Sequence, residues 1–144
     1  MRLAAGKKLE NQIIVDDWGL TPEVNEGALA LADAGCLFGV SLLVDGPHLK
    51  HGLRELFSFG KVKIGLHFNL TQNFIRPRPA LFLLAERAWR YRGLENEMRR
   101  QFEELQAACG RVHYIDGQHL IQLYPFVFGT TKRLSREKKC LVRV

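Results

Sequence analysis

An α/β fold with a parallel sheet is predicted by three observations. Short β-branched and apolar runs recur along the chain, and stretches with helical spacing separate them. The breaks between them carry capping residues, glycines and prolines in positions that start or stop helices. Strand, helix, strand, helix at this spacing argues for parallel strands joined by right-handed crossovers.

Each element follows from local chemistry. Gln12-Ile13-Ile14-Val15 reads as the first strand and runs into two acids. Thr21-Pro22-Glu23 opens a helix, with Thr as cap, Pro at the first position and an acid in the first turn. Val24, Ala28, Leu29, Leu31 and Ala32 carry it forward, and Gly35 stops it. The run from Phe38 to Val44 predicts a second strand, closed by Asp45-Gly46-Pro47. Leu49, Leu53, Leu56 and Phe57 predict a helix ending near Gly60, and Val62 to Phe68 a third strand. Residues 72–80, with two Arg-Pro pairs, read as a loop. Helical character then extends from about Ala80 to Cys109, interrupted near Gly93 and stopped by Gly110. Val112 to Asp116 predicts a fourth strand, Pro125 to Lys138 a helix, and Cys140-Leu141-Val142 a fifth strand. Residues 1–11 are expected to form a flexible N-terminal stretch, leaving one domain over 1–144.

Composition narrows the function classes. At 144 residues and 47% hydrophobic, the chain has the size of one globular domain. No apolar run reaches the ~18 to 20 residues of a membrane span, and no signal-like apolar stretch follows Met1. Cys36, Cys109 and Cys140 are scattered and odd in number, against a disulfide framework or a thiolate zinc site. A cytoplasmic location is therefore expected. The net charge of +6 is concentrated: residues 1–75 carry 7 basic and 8 acidic groups, whereas residues 132–144 carry 6 and 1. Arginines interleaved with glutamates over 76–111 suit a solvated helix face, so nucleic acid is not the expected partner.

The chemistry gathers at strand ends. Ligands of parallel α/β sheets bind beyond the carboxyl ends of the strands. The first strand ends in Asp16-Asp17-Trp18-Gly19, the third in His67-Phe68-Asn69, and the fourth in Asp116-Gly117-Gln118-His119. Acids and imidazoles converging there are the ingredients of a divalent metal site with a neighbouring general base. Each has a plainer reading. Paired acids often cap a turn, a histidine in an apolar run is often core, and Asp-Gly is a common turn. His48 and His51, three apart without an accompanying acid, are read as surface residues, and Cys109 as packing.

These residues carry a resemblance. The stretch from Val15-Asp16-Asp17-Trp18-Gly19-Leu20-Thr21-Pro22 to Gly27 resembles the N-terminal signature of the YdjC-like carbohydrate deacetylases. Val40-Ser41-Leu42-Leu43-Val44-Asp45-Gly46-Pro47 and Gly65-Leu66-His67-Phe68-Asn69-Leu70-Thr71 are similar to two further motifs of that family. Tyr114-Ile115-Asp116-Gly117 through Pro125 sits where the family has an Asp followed by alternating histidines. The resemblance implies a (β/α) barrel that hydrolyses the N-acetyl group of amino sugars such as chito-oligosaccharides. It implies a divalent ion, usually Mg²⁺, with Zn²⁺ as the alternative. By position, Asp16 would be the general base, and Asp17 and His67 metal ligands. Asn69 and Asp45 would lie toward the substrate.

Two departures qualify the resemblance. The family's third ligand position is Gln118 here, and its later histidines fall at Leu120 and Gln122. An amide oxygen binds a hard ion without charge. His119 would substitute only through a one-residue shift of the strand end. Family members are also longer, so the expectation is a partial (β/α) barrel of four to five strands. It would be completed by a second copy or by a C-terminal half. The competing expectation is a non-catalytic remnant that binds carbohydrate or dimerises.

Overall fold

The computed structural model of the chain describes residues 13–70 and 91–144. Residues 1–11, Thr71, the loop expected over 72–80 and the helical start near Ala80 lie outside the described residues. The elements are β1 (Ile13–Trp18), α1 (Pro22–Asp33), β2 (Leu37–Leu42), α2 (Leu53–Ser58) and β3 (Lys63–Phe68). They continue with α3 (Tyr91–Cys109), β4 (Tyr114–Gly117), a 3-10 turn (Gln118–Leu123), α4 (Pro125–Lys138) and β5 (Leu141–Val142).

All four strand pairings are parallel, and the order in the sheet is the order in the chain, β1-β2-β3-β4-β5. A doubly wound sheet would reverse direction at a switch point. Here the winding continues one way, as in a (β/α) barrel, and among the described residues the sheet is open. The partial barrel expected from the motifs is what the chain forms.

Caps fall where the chemistry puts them. Thr21 is extended, and its Oγ1 accepts the Val24 N–H at 3.4 Å before Pro22 begins α1. At the other end Gly35 takes φ +70°, so that Cys36 N–H bonds Leu31 O and Gly35 N–H bonds Ala32 O, both at 2.9 Å. That pair of bonds satisfies the last carbonyls of the helix, and only glycine adopts the turn without strain.

Two expectations are corrected and one element is added. Gly93 does not interrupt the helix but lies inside α3. The helix after Asp45-Gly46-Pro47 starts only at Leu53, because residues 48–51 are held as turns. Asn25, fully buried, donates from Nδ2 to His48 O and His51 O at 2.9 Å each. A 3-10 turn, unannounced by periodicity, follows β4; it carries His119 and Leu120 at φ 54° and 55°.

The two faces of the sheet divide the labour. Side chains alternate along a strand. Val40, Leu42, Ile64, Leu66 and Ile115 form a buried cluster with Leu56, Met98, Phe102 and Val127 of the helices. The alternate positions, Gly39 and Ser41, Gly65 and His67, Tyr114 and Asp116, form the other face. That face carries the polar groups.

Candidate active site

Asp16 and Asp17 are consecutive, so a regular strand would send them to opposite faces. Two irregularities prevent this. The β1–β2 register pairs Val15 with Val40 and Trp18 with Leu42, so Asp16 and Asp17 together oppose the single residue Ser41. This is a β-bulge, a device that re-aims side chains. Asp17 also has φ +63°, a left-handed backbone that costs an aspartate on the order of 1 kcal/mol. The turn that follows holds it: Gly19 N–H donates to Asn25 Oδ1 at 2.8 Å, and Trp18 Nε1 to Leu49 O at 3.0 Å. Gly46 packs so closely that a Cβ there would stand 2.6 Å from Gly19 O.

The result is one cluster. His67 Nε2 lies 3.3 Å from Asp17 Oδ1, and His67 Nδ1 lies 2.7 Å from Asp116 Oδ1. Arg143, just past β5, spans the other side. Its Nη2 donates to Asp16 Oδ2 at 2.9 Å and its Nη1 to Asp116 Oδ2 at 2.8 Å, with Nη1 also bonded to Asp16 Oδ1. Ser41 Oγ donates to Asp116 Oδ2 at 2.6 Å. Every strand therefore contributes a group at its carboxyl end.

Exposure sorts the three carboxylates. The Asp16 and Asp17 side chains are 38% and 36% exposed, whereas Asp116 is 4% exposed. Asp116 lies at the floor of the cluster, bonded to Ser41, His67 and Arg143; Asp16 and Asp17 line its mouth. Burial raises the Asp16 pKa, but the Arg143 hydrogen bonds and charge outweigh it and hold the carboxyl below its ordinary value. Burial pushes the His67 imidazole down, yet its hydrogen bond to Asp116 and the Asp17 carboxylate beside it outweigh that and raise its pKa to about 9.

A cation has two places in this cluster. One ligand atom each from Asp16, His67 and Asp116 lies within 4.8 Å of the others. Arg143 already neutralises that side, and Asp116 already accepts from Ser41, His67 and Arg143. The other place faces Asp17. Its Oδ1 is buried without a hydrogen-bond partner, at ion-pair distance from His67 Nε2 but without hydrogen-bond geometry. A buried, unsatisfied carboxylate oxygen is costly unless something binds it. Since Asp116 takes the Nδ1 proton, Nε2 is the nitrogen that would face a metal, the carboxylate–histidine–metal arrangement of many such sites. The donor set fits a divalent ion held by Asp17 and His67.

Comparison with known proteins agrees with the motifs. The model of the YdjC-like protein family matches residues 12–144. The chain belongs to the YdjC-like family. Two relatives named carbohydrate deacetylase, from Oceanobacillus iheyensis and Halalkalibacterium halodurans, are 25% and 22% identical over 92% and 89% of this chain. The matched regions span 63% and 60% of those proteins, so the chain covers less than two thirds of their length. Among solved structures, an Enterococcus faecalis protein described as a cellobiose-phosphate cleavage protein superposes with a TM-score of 0.75. It shares 20% identity, and the match covers 92% of this chain and 57% of that one, a likeness of fold.

The family positions are not all gathered in. Asp16, Asp17 and His67 meet as described. Gln118 begins the 3-10 turn, directly after Gly117 at the end of β4, and is partly buried. His119 is exposed and outside the ligand cluster, and the β3–β4 register runs unbroken through His67↔Asp116 and Phe68↔Gly117, without the shift His119 would need. Asn69 is buried, its backbone clasped by Gln101, which accepts from Asn69 N–H at 3.1 Å and donates to Asn69 O at 2.6 Å. Asp45 is committed to Arg100 through contacts of 2.6 and 3.1 Å. Of the groups not anticipated, Arg143 had a signal: Val142-Arg143 ends a strand, the topological position of Asp16, His67 and Asp116. Ser41 and Tyr114 had none beyond their place in apolar runs.

Proposed function

We propose that the chain is a metal-dependent carbohydrate deacetylase acting on N-acetylated amino sugars such as chito-oligosaccharides. The observation that carries this reading is the turning of Asp16 and Asp17 into one cluster with His67. Asp17 and His67 would hold the divalent ion, Mg²⁺ or Zn²⁺, and Gln118, at the family's third ligand position, would offer an amide oxygen. When bound, the ion polarises the acetamide carbonyl and acidifies a water molecule. Asp16, ionised and at the mouth, accepts the proton of the attacking water through lone pairs that Arg143 leaves free. Arg143 fixes the carboxylate's orientation. Asp116 holds the Nδ1 proton of His67, so that Nε2 points outward.

The test is acetate release from acetylated chito-oligosaccharides by the metal-saturated chain, with and without chelator. Asp16→Asn is expected to lower turnover by about 10²–10⁴-fold, the usual worth of a general base. A folded, metal-loaded sample that releases no acetate would overturn the reading.

Gln118 in place of a histidine favours a second reading, a carbohydrate-binding module without turnover. Sugar binding without acetate release is its signature. In that reading the free edge at β5, where Leu141 is 75% exposed, pairs with a second copy of the chain. Sedimentation distinguishes dimer from monomer.

A further inference from the structure

Tyr114 lies where no ordinary residue pair would admit it. Its ring crosses two neighbouring strands on the polar face, over Gly65 and Gly39. A Cβ at Gly65 would stand 2.1 Å from Tyr114 Cε2, and one at Gly39 would stand 3.0 Å from the phenol oxygen. Gly65 is the register partner of Tyr114, and Gly39, two positions before Ser41 on β2, lies diagonally beyond it; together they leave the ring its room. The cradle delivers the hydroxyl to Ser41, with Oη 3.2 Å from Ser41 Oγ.

Proton counting then sets the direction of each bond. Asp116 as a carboxylate only accepts, so Ser41 spends its single hydrogen on Asp116 Oδ2 at 2.6 Å. Tyr114 must therefore donate to Ser41. Burial raises the Tyr114 pKa, which keeps the phenol a neutral donor. On the far side Asp116 Oδ1 accepts from His67 Nδ1 at 2.7 Å. The four residues form one directed chain, Tyr114 to Ser41 to Asp116 from His67, and all four are buried.

We infer that Ser41 and Tyr114 are positioning residues that lock Asp116 and, through it, the ring of His67. Arg143 Nη1 meets the same Asp116 Oδ2 at 2.8 Å and touches Ser41 Oγ at 3.4 Å, but its side chain is one-third exposed and it does not reach the Oδ1 that holds His67. Ser41 and Tyr114 supply the buried side of the clamp. The consequence for metal affinity rests on the metal-centre reading above; the orientation of His67 does not.

The test uses four proteins: the unaltered chain, Ser41→Ala, Tyr114→Phe and the double variant. Tyr114→Phe keeps the ring over both glycines and removes only the hydroxyl. In the metal-free, ¹⁵N-histidine-labelled protein, solvent exchange of the His67 Nδ1 proton is expected to quicken in both single variants. Zn²⁺ titration calorimetry is expected to show a loss of about tenfold for Ser41→Ala, the lower end for an outer-shell partner, and a smaller loss for Tyr114→Phe. Since Tyr114 acts through Ser41, Tyr114→Phe should add nothing in the Ser41→Ala background. Unchanged His67 exchange in Ser41→Ala, or additive effects in the double variant, would overturn the inference. Absence of Zn²⁺ binding by the unaltered chain would instead overturn the metal-centre reading, and the exchange data would still decide this one.

Discussion

Arg143 and Asp16 stand 127 positions apart in the chain and meet through both guanidinium nitrogens and both carboxylate oxygens. The contact joins the first strand to the last across the polar face of the sheet. The same guanidinium reaches the buried Asp116, so one cation fixes both Asp16 and Asp116.

Arg143→Lys keeps the charge and loses the fork that spans two carboxylates. Asp16 loses the bonds that hold its pKa down, so its carboxyl should titrate at a higher pH. The acidic limb of the rate profile should move upward with it, and turnover should fall. Asp116 is left short of one partner, which should cost about 1–3 kcal/mol in urea denaturation. An unmoved acidic limb would separate Arg143 from the base.

Metal should stabilise the fold through Asp17 and His67. With free Zn²⁺ at about 100 times its Kd, unfolding should become harder by about 2.7 kcal/mol. Chelator should remove the gain. His67→Ala and Asp17→Asn should abolish it, whereas His119→Ala should leave it intact, because His119 lies outside the cluster. A stabilisation that survives His67→Ala would place the ion elsewhere.

His113 gives a pH dependence independent of the site. Its Nδ1 accepts the Ile64 N–H at 3.1 Å, a role open only to the neutral ring. Burial, and then the charge of Lys63, lowers its pKa from 6.5. A lowered histidine pKa contributes stability that is present above the unfolded value and lost as pH falls through the folded one. Denaturation midpoints should therefore decline on acidification below 6.5, and His113→Gln should flatten that part of the decline. An NMR titration midpoint for His113 at or above 6.5 would contradict it.

Gly65→Ala should be among the costly single-methyl changes in the molecule. The added carbon would meet the Tyr114 ring at 2.1 Å, and a buried ring between strands has little room to retreat. The expected cost is about 1–3 kcal/mol or more. Tyr114→Leu should recover part of it in the double variant, whereas simple loss of strand propensity would leave the two effects additive.

Sequence reasoning reached the residues whose chemistry is unusual for their place. Acids after β1 and an imidazole at the end of β3 stand out against apolar runs, so Asp16, Asp17 and His67 were legible. Asp116 was legible as a strand-end acid of the same convergence, though its Asp-Gly context also read as a turn. The strand-end signal of Arg143 was weak, because β5 is two residues long and lies among other basic residues. Ser41 and Tyr114 were hidden for a different reason. Their role depends on register, on which residue of β2 lies beside which residue of β3 and β4, and periodicity carries no register. The bulge at Asp16-Asp17 is likewise a property of the β1–β2 pairing, not of either strand alone.

The bulge has a consequence in electroneutrality. By turning the second acid inward, it gathers three carboxylates, one guanidinium and the His67 imidazole into one cluster. At neutral pH the raised pKa of His67 keeps its ring charged and the balance at one negative charge; a divalent cation that displaced that proton would meet two. The chain as a whole carries +6, yet the mouth of its site has the opposite sign. Anions would be repelled at this acidic cluster of the described residues, where a small dication meets no such barrier.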